Sequence, residues 1–283
     1  MLSTWFLPAQ MVFSTSLQPW ATEEWPEIFA TSAVLQPRVF LAFRGCLAIT
    51  FLGHQLAHLG FYVNLYEWAY GIYLTNWTLL LQTVSECLLF ALALQGSRRL
   101  SSQNSPSSNS MPKVIPFAVV LWSIVQPMSM VVTLLYFALQ NPIWNLRPMR
   151  YLAIFPHLVN WILLLLSLLL SRVPFNLSHV GWPMLFAATY VAWSVVHFFL
   201  KIGKNEPCEV YPINDCPIYN TFDWHHPQKS VPILFAALTG TLLVSALYSK
   251  LVHCRDSCAK SRAQTRALCA ASRENGDVEL CGG

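Results

Sequence analysis

Apolar residues dominate the chain in six blocks that are separated by shorter polar stretches. The blocks cover about residues 39–61, 69–94, 114–139, 151–171, 180–200 and 230–252. Each is about 20 residues long, the length at which an α-helix crosses roughly 30 Å of hydrocarbon. This pattern predicts an all-α fold, a polytopic membrane helix bundle with about six transmembrane helices.

Composition supports the same architecture. Hydrophobic residues make up 55% of the 283 positions and charged residues only 11%, whereas soluble domains carry roughly 25% charged residues. The mean hydropathy of the chain is +0.45. The net charge of +4 is small, and no segment resembles a nucleic-acid-binding surface. We therefore expect membrane lipids, and no nucleic acid, as partners.

The distribution of basic residues predicts an orientation. Six spans place both termini on one side of the membrane, and that side collects more Lys and Arg than the other. The positive-inside rule then places both termini in the cytosol. We expect a cytosolic N-terminal segment (1–38), a transmembrane domain (39–252) and a cytosolic, disordered tail (253–283), in the plasma membrane or an endomembrane.

Two charged residues lie deep within predicted spans. Arg44 belongs to the first span and Glu86 to the second. Charges inside the membrane are costly and are usually paired. We predict that Arg44 and Glu86 form an ion pair with a structural role.

A second set of polar residues lies nearer the outer ends of four spans. These residues are His54, His58, Thr75, His157, Asn160 and His197. Each also has an ordinary structural interpretation. A membrane threonine often binds the carbonyl four residues back, an interfacial histidine reaches toward water, and asparagine often joins helices.

The histidines allow a metal or haem site as an alternative. His54 and His58 are four positions apart, a spacing that can hold a metal ion, but the adjacent glutamate of the H-E-x-x-H motif is missing. Histidines on facing helices could also ligate haem. We expect no metal and no cofactor.

The cysteines predict two further features. Cys208 and Cys216 share one polar loop, so we predict a disulfide if that loop is extracytoplasmic. Cys254 and Cys258 follow the last span, where palmitoylation is an alternative to free thiols.

Three motifs are similar to those of a known membrane family. They are "YLTNW" (73–77), the H-x-x-N stretch "HLVNWILLLLSLLLSRVP" (157–174), and "VYPINDCPIYNTFDWHHP" (210–227). In this order and spacing they resemble rolling-stone proteins. That group belongs to a wider membrane family that includes androgen-induced gene 1 and its relatives.

The resemblance implies a specific chemistry at two positions. The relatives hydrolyse fatty acid esters of hydroxy fatty acids with an intramembrane threonine, whose motif position is Thr75 here. Their catalytic histidine is the second His of an H-x-x-H pattern, and Asn160 stands at that position. His157 matches the first His. A threonine hydroxyl needs a base to remove its proton, and a carboxamide cannot serve as one.

Two functions follow as hypotheses. The first is a non-enzymatic membrane protein that acts in membrane or cell-surface interaction with a membrane-protein partner, including the cell fusion that the resemblance to a myoblast-fusion protein implies. The second is an intramembrane hydrolase of fatty-acyl esters that uses Thr75 with His157.

Overall fold

The chain folds into helices because lipid offers no hydrogen bonds to an unpaired backbone, and an α-helix satisfies its own. A computed structural model describes residues 24–102, 111–140, 154–204, 208 and 210–274, and no strand occurs in them. These described residues form seven α-helices: α1 (Trp25–Ala30), α2 (Pro37–Tyr66), α3 (Leu74–Ser101), α4 (Ile115–Leu135), α5 (Asn160–Leu170), α6 (Gly181–Phe199) and α7 (Pro227–Glu274).

The predicted all-α membrane bundle is confirmed, and its helices follow the apolar blocks. Among the described residues, five segments are long and apolar enough to cross a membrane: Pro37–Phe61, Leu74–Ser101, Ile115–Leu139, Leu177–Phe199 and Pro227–Arg262. The fourth block forms a shorter apolar helix, Phe155–Leu170, and the first residues of that predicted span lie outside the described ranges. The second block is interrupted, because a 3₁₀ turn (Glu67–Ile72) and the extended Tyr73 precede α3.

Helix α4 occupies the centre of the bundle and packs against α3, α5, α6 and α7. Its apolar stretch is 72% buried, compared with 22% for the spans of α6 and α7. The outer faces of α6 and α7 therefore provide much of the lipid-facing surface. The main core cluster joins Trp122 of α4 to Leu89 of α3 and Tyr248 of α7.

The short helix α1 packs across the end of the bundle that carries the C-terminal tail, called the tail end below. Trp25 and Phe29 are buried in the main core cluster. Gly96 of α3 allows this close approach, because a Cβ there would lie 2.9 Å from the carbonyl oxygen of Pro26. The Arg99 guanidinium lies 5.0 Å from the centroid of the Trp25 ring.

The chain after residue 253 differs from the predicted disordered tail. Helix α7 continues without interruption to Glu274. The stretch from 241 to 274 contains neither Gly nor Pro and is rich in Ala, Arg, Lys and Leu, which are strong helix formers. The charge of this segment is compatible with a solvated helix and does not by itself indicate disorder.

The predicted ion pair is present and joins three helices. Arg44 Nη1 of α2 lies 3.1 Å from Glu86 Oε2 of α3, and both side chains are fully buried. Arg44 Nη1 also donates to Ser167 Oγ of α5 at 2.6 Å, and Ser167 Oγ donates to Glu86 Oε1 at 3.3 Å. The guanidinium lies 5.7 Å from the centroid of Trp122 on α4. Four helices therefore meet at one charged group.

Glu86→Leu should reduce the free energy of unfolding by about 3–5 kcal/mol, because it leaves the Arg44 charge buried without its partner. Reversible unfolding in mixed detergent micelles measures this. The double variant Arg44→Met/Glu86→Leu should recover most of the loss, since it removes both charges.

Glu27→Leu provides the matched control, because Glu27 pairs with Arg172 where both side chains are exposed. Its cost should stay below about 1 kcal/mol. An equal loss for Glu86→Leu and Glu27→Leu would contradict the structural role of the buried pair.

Candidate functional site

The loop between α6 and α7 covers one end of the bundle, called the loop end below. The predicted disulfide between Cys208 and Cys216 is present within it. His197, near the end of α6, places Nε2 2.6 Å from the carbonyl oxygen of Gly203. Gly203 has a φ of +71°, and a Cβ there would lie 2.1 Å from the carbonyl oxygen of Ile213. Only glycine fits this close approach.

Asp223 fixes the path of the loop into α7. Its Oδ1 accepts hydrogen bonds from the backbone N–H of His225 and from His225 Nδ1, and its Oδ2 accepts one from the Tyr211 hydroxyl. Its backbone carbonyl accepts the Ser230 hydroxyl at 2.7 Å. Burial opposes ionisation of this carboxyl, but the hydrogen bonds from His225 and Tyr211 hold the pKa of Asp223 below its ordinary value. The neighbouring Trp224 Nε1 donates to Ser194 Oγ of α6.

The loop should loosen in acid because the folded-state pKa of Asp223 is lowered. A lowered pKa stabilises the fold above the unfolded value of about 3.8, and this contribution is lost as the pH falls through the still lower folded value. Asp223→Asn should accelerate amide hydrogen exchange in residues 210–226 at pH 7.

The control is Asp215→Asn, which removes a carboxylate of the same loop whose partner Lys201 is largely exposed and whose contact with His225 Nε2 is long, at 3.9 Å. Amide hydrogen exchange in residues 210–226 should change little in this variant. If Asp223→Asn exchanges at the wild-type rate at pH 7, Asp223 does not anchor the loop.

A cavity of about 120 Å³ lies beneath this loop, between α3, α4, α6 and α7. We call it the bundle cavity. Its walls are almost entirely apolar, and their aliphatic part comes mainly from Met128, Val131, Val132, Leu135, Leu234 and Leu238. Most of its polar lining lies near the loop end and includes Thr75, Tyr136, His157, Tyr190 and Tyr219. Thr241 lines it at a deeper position, where its hydroxyl donates to the carbonyl oxygen of Ala237. The arrangement combines a long apolar space with one hydroxyl- and imidazole-bearing end.

Thr75 lies in the first turn of α3, at the polar end of the bundle cavity. This helix begins without a capping side chain at Tyr73. The Tyr219 hydroxyl of the loop takes that role, because it accepts the backbone N–H of Leu74 at 3.1 Å. Tyr219 also shares a hydrogen bond with the Thr75 side chain, and burial raises the pKa of Tyr219. Tyr190 donates to the carbonyl oxygen of Ile72 at 2.8 Å.

His157 lines the same cavity from a π-helical turn (Phe155–Val159) that precedes α5. Its ring stacks on Tyr136, with centroids 3.6 Å apart and planes 7° apart. Tyr136 begins a second π-helical turn, Tyr136–Gln140. The buried Nδ1 of His157 has no hydrogen-bond partner among the described residues. Isolated π-turns often occur at functional sites.

Asn160 lies outside the cavity that Thr75 and His157 share, although the sequence predicted all three in one site. It is 1% exposed, and its Nδ2 donates to Gln82 Oε1 of α3 at 2.9 Å. It is not part of the cavity lining. The structure therefore brings Thr75 and His157 to one cavity and assigns Asn160 to a contact between two helices.

The three other histidines of the predicted polar set, His54, His58 and His197, do not line this cavity. The His54 ring stacks on Phe155 at 3.7 Å, and His58 Nδ1 lies 3.3 Å from the Tyr70 hydroxyl. His54 and His58 are neighbours, with ring centroids 5.5 Å apart, while His197 lies under the loop. Within the part of the chain that the structure describes, no group of three metal-binding side chains occurs.

No family model matches the chain, and no curated protein or solved structure matches it either. The interpretation of the candidate site therefore depends on the geometry of this chain alone. Sequence reasoning missed Tyr190 and Tyr219, because a tyrosine in an apolar helix and another in a loop carry no short-range signal. The absence of a capping residue before Thr75 was the only indication that a distant hydroxyl was needed.

Proposed function

We propose that this chain is a multi-pass membrane protein that binds a fatty-acyl lipid in the bundle cavity. One observation carries the proposal: the cavity is apolar along most of its length and most of its polar groups lie at one end. Four residues of α4 line it between Met128 and Leu135, a separation of seven residues or about 10 Å along the helix. Each acyl methylene that leaves water contributes about 0.8 kcal/mol, and Thr75 and His157 would face the polar end of the lipid.

The proposed orientation places the loop end outside the cytosol and both termini inside it. The disulfide Cys208–Cys216 does not distinguish the two sides, because disulfides persist in oxidising compartments and Cys269 of the tail is also disulfide-bonded. The orientation is supported by the basic residues. Arg98 and Arg99 lie in the last turn of α3 at the tail end, as the positive-inside rule requires of a cytosolic side.

Filling the bundle cavity should abolish lipid binding. A photoactivatable fatty acid should label the wild-type protein within the cavity, and Leu238→Trp should reduce this labelling about tenfold because its indole occupies the space of the acyl chain. Leu243→Trp is the matched control on the same helix, since Leu243 is 67% exposed. Equal labelling of both variants would contradict the proposal.

A second candidate function is hydrolysis of the bound fatty-acyl ester. The specific observation in its favour is that Thr75 and His157 line the same cavity. The Thr75 hydroxyl would attack the ester carbonyl while the His157 imidazole accepts its proton; the bond to the alcohol oxygen breaks, and the alcohol leaves with the proton from His157. Water would then cleave the acyl-enzyme, releasing the fatty acid and restoring the Thr75 hydroxyl. The buried first turn of α3 would place its positive dipole end beside the developing oxyanion.

Hydrolysis is tested by purified protein and a fatty acid ester of a hydroxy fatty acid, the substrate class that the resemblance implies. Thr75→Ala should abolish turnover, Thr75→Ser should retain part of it, and His157→Gln should lower kcat by about 10²–10⁴-fold. Thr189→Ala and His226→Gln, both at exposed positions, should have no effect.

The two candidates predict different results. Lipid labelling that depends on Leu238 without any Thr75-dependent turnover supports a binding protein and excludes the hydrolase. We include membership of the rolling-stone group in the proposal. The three motifs that resemble this group contain Thr75, His157 and Asp223, and all three residues lie near the loop end. The role in cell-surface interaction or fusion stays a prediction from that resemblance, with the 201–229 loop and the tail as the contact surfaces.

A further inference from the structure

Helix α7 carries two cysteines at the point where it leaves the bundle. Val252 is 4% exposed and belongs to the main core cluster, whereas Cys254 and Cys258 are exposed. They are one helical turn apart, about 6 Å along the axis, and so lie on one face. Both thiols are therefore accessible beside each other immediately after the last buried turn of the helix.

The depth of these cysteines is fixed by the hydrogen bonds of Arg255, which directly follows Cys254. Arg255 Nη1 donates to the carbonyl oxygen of Leu168 at 2.6 Å, and both of its terminal nitrogens contact the carbonyl oxygen of Val173. These carbonyls lie at and just beyond the C-terminal end of α5, where the apolar helix ends. Arg255 thus holds Cys254 and Cys258 at the level where the bundle meets the tail side of the membrane.

The surroundings of the cysteines favour an amphiphilic anionic reactant. Lys250, Lys260 and Arg262 are exposed on the same part of α7. Basic side chains beside a membrane attract anionic head groups and phosphates. An acyl-coenzyme A combines these properties, because its acyl chain enters the lipid while its phosphate-bearing coenzyme remains in the cytosol.

We propose that Cys254 and Cys258 are S-acylated by long-chain acyl-coenzyme A. The cysteine sulfur attacks the acyl carbonyl, a new thioester bond forms, and the bond between the carbonyl carbon and the coenzyme sulfur breaks. Coenzyme A leaves as the thiol and takes up the proton that the cysteine loses. The added chains would anchor the extended part of α7 to the inner surface. This inference depends on the proposed cytosolic position of the tail.

Cys46 supplies an internal control for the effect of depth. It is also exposed, but it lies nine residues into α2, about 13 Å from the start of that helix at Pro37. An exposed thiol inside the hydrocarbon cannot meet a coenzyme A head group at the interface. Exposure alone therefore does not distinguish the two cysteines of α7 from Cys46. Their position at the membrane interface does.

The test uses the full chain expressed in cells. Free thiols are blocked first, hydroxylamine then cleaves thioesters, and each freed thiol reacts with a polyethylene glycol maleimide. Each added polymer shifts the protein to a higher mass on a gel. Wild type and Cys46→Ser should show two shifts, Cys254→Ser and Cys258→Ser one each, and the double variant none. Metabolic labelling with an alkyne fatty acid should fall to background in the double variant. Two shifts in the double variant, or none in the wild type, would overturn the proposal.

A separate measurement tests the orientation of the tail independently of S-acylation. A membrane-impermeant maleimide, applied after hydroxylamine treatment, should label Cys254 and Cys258 only once the plasma membrane has been selectively permeabilised. Labelling in that state without any thioester in the untreated protein would exclude S-acylation and retain the proposed orientation. Labelling in intact cells would overturn both the orientation and the S-acylation that depends on it.

Discussion

The buried contact between Arg44, Glu86 and Ser167 sets the relative heights of three helices. Charges in a membrane interior are tolerated only when they are paired, so α2, α3 and α5 cannot slide past one another without separating this group. Thr75 lies eleven residues before Glu86 on α3, about 16 Å toward the loop end, and His157 lies ten residues before Ser167, about 15 Å in the same direction. The ion pair therefore brings a hydroxyl and an imidazole to nearly the same height.

The loop supplies what the helices leave incomplete at that height. Helix α3 starts inside the protein without a capping side chain, and buried N–H groups at a helix start need partners. Tyr219 supplies one from the loop, which is itself held by the disulfide, by the Asp223 hydrogen bonds and by Gly203. Loss of loop structure would therefore expose the start of α3 and the polar end of the bundle cavity together.

The sequence predicts those features that depend on local composition or on a strong energetic rule. Apolar blocks predicted the membrane bundle, the cost of buried charge predicted the Arg44–Glu86 pair, and two cysteines in one loop predicted the disulfide. Features that depend on distant partners were not accessible. Tyr219 is 145 positions from Leu74, and no periodicity marks that contact. The helix in the tail follows from helix propensity, which the charge of that segment does not override.

The separation of His157 from Asn160 has a local cause in the backbone. In a regular α-helix, residues three apart differ by about 60° in direction and share one broad face, so both side chains were expected in a single site. The π-turn Phe155–Val159 precedes Asn160, and one residue inserted in a helix rotates the preceding side chains by about 100° relative to those that follow. This rotation is consistent with His157 lining the cavity and stacking on Tyr136 while Asn160 reaches Gln82. Because the imidazole that lines the cavity together with Thr75 belongs to residue 157, an amide at residue 160 does not remove an imidazole from the cavity.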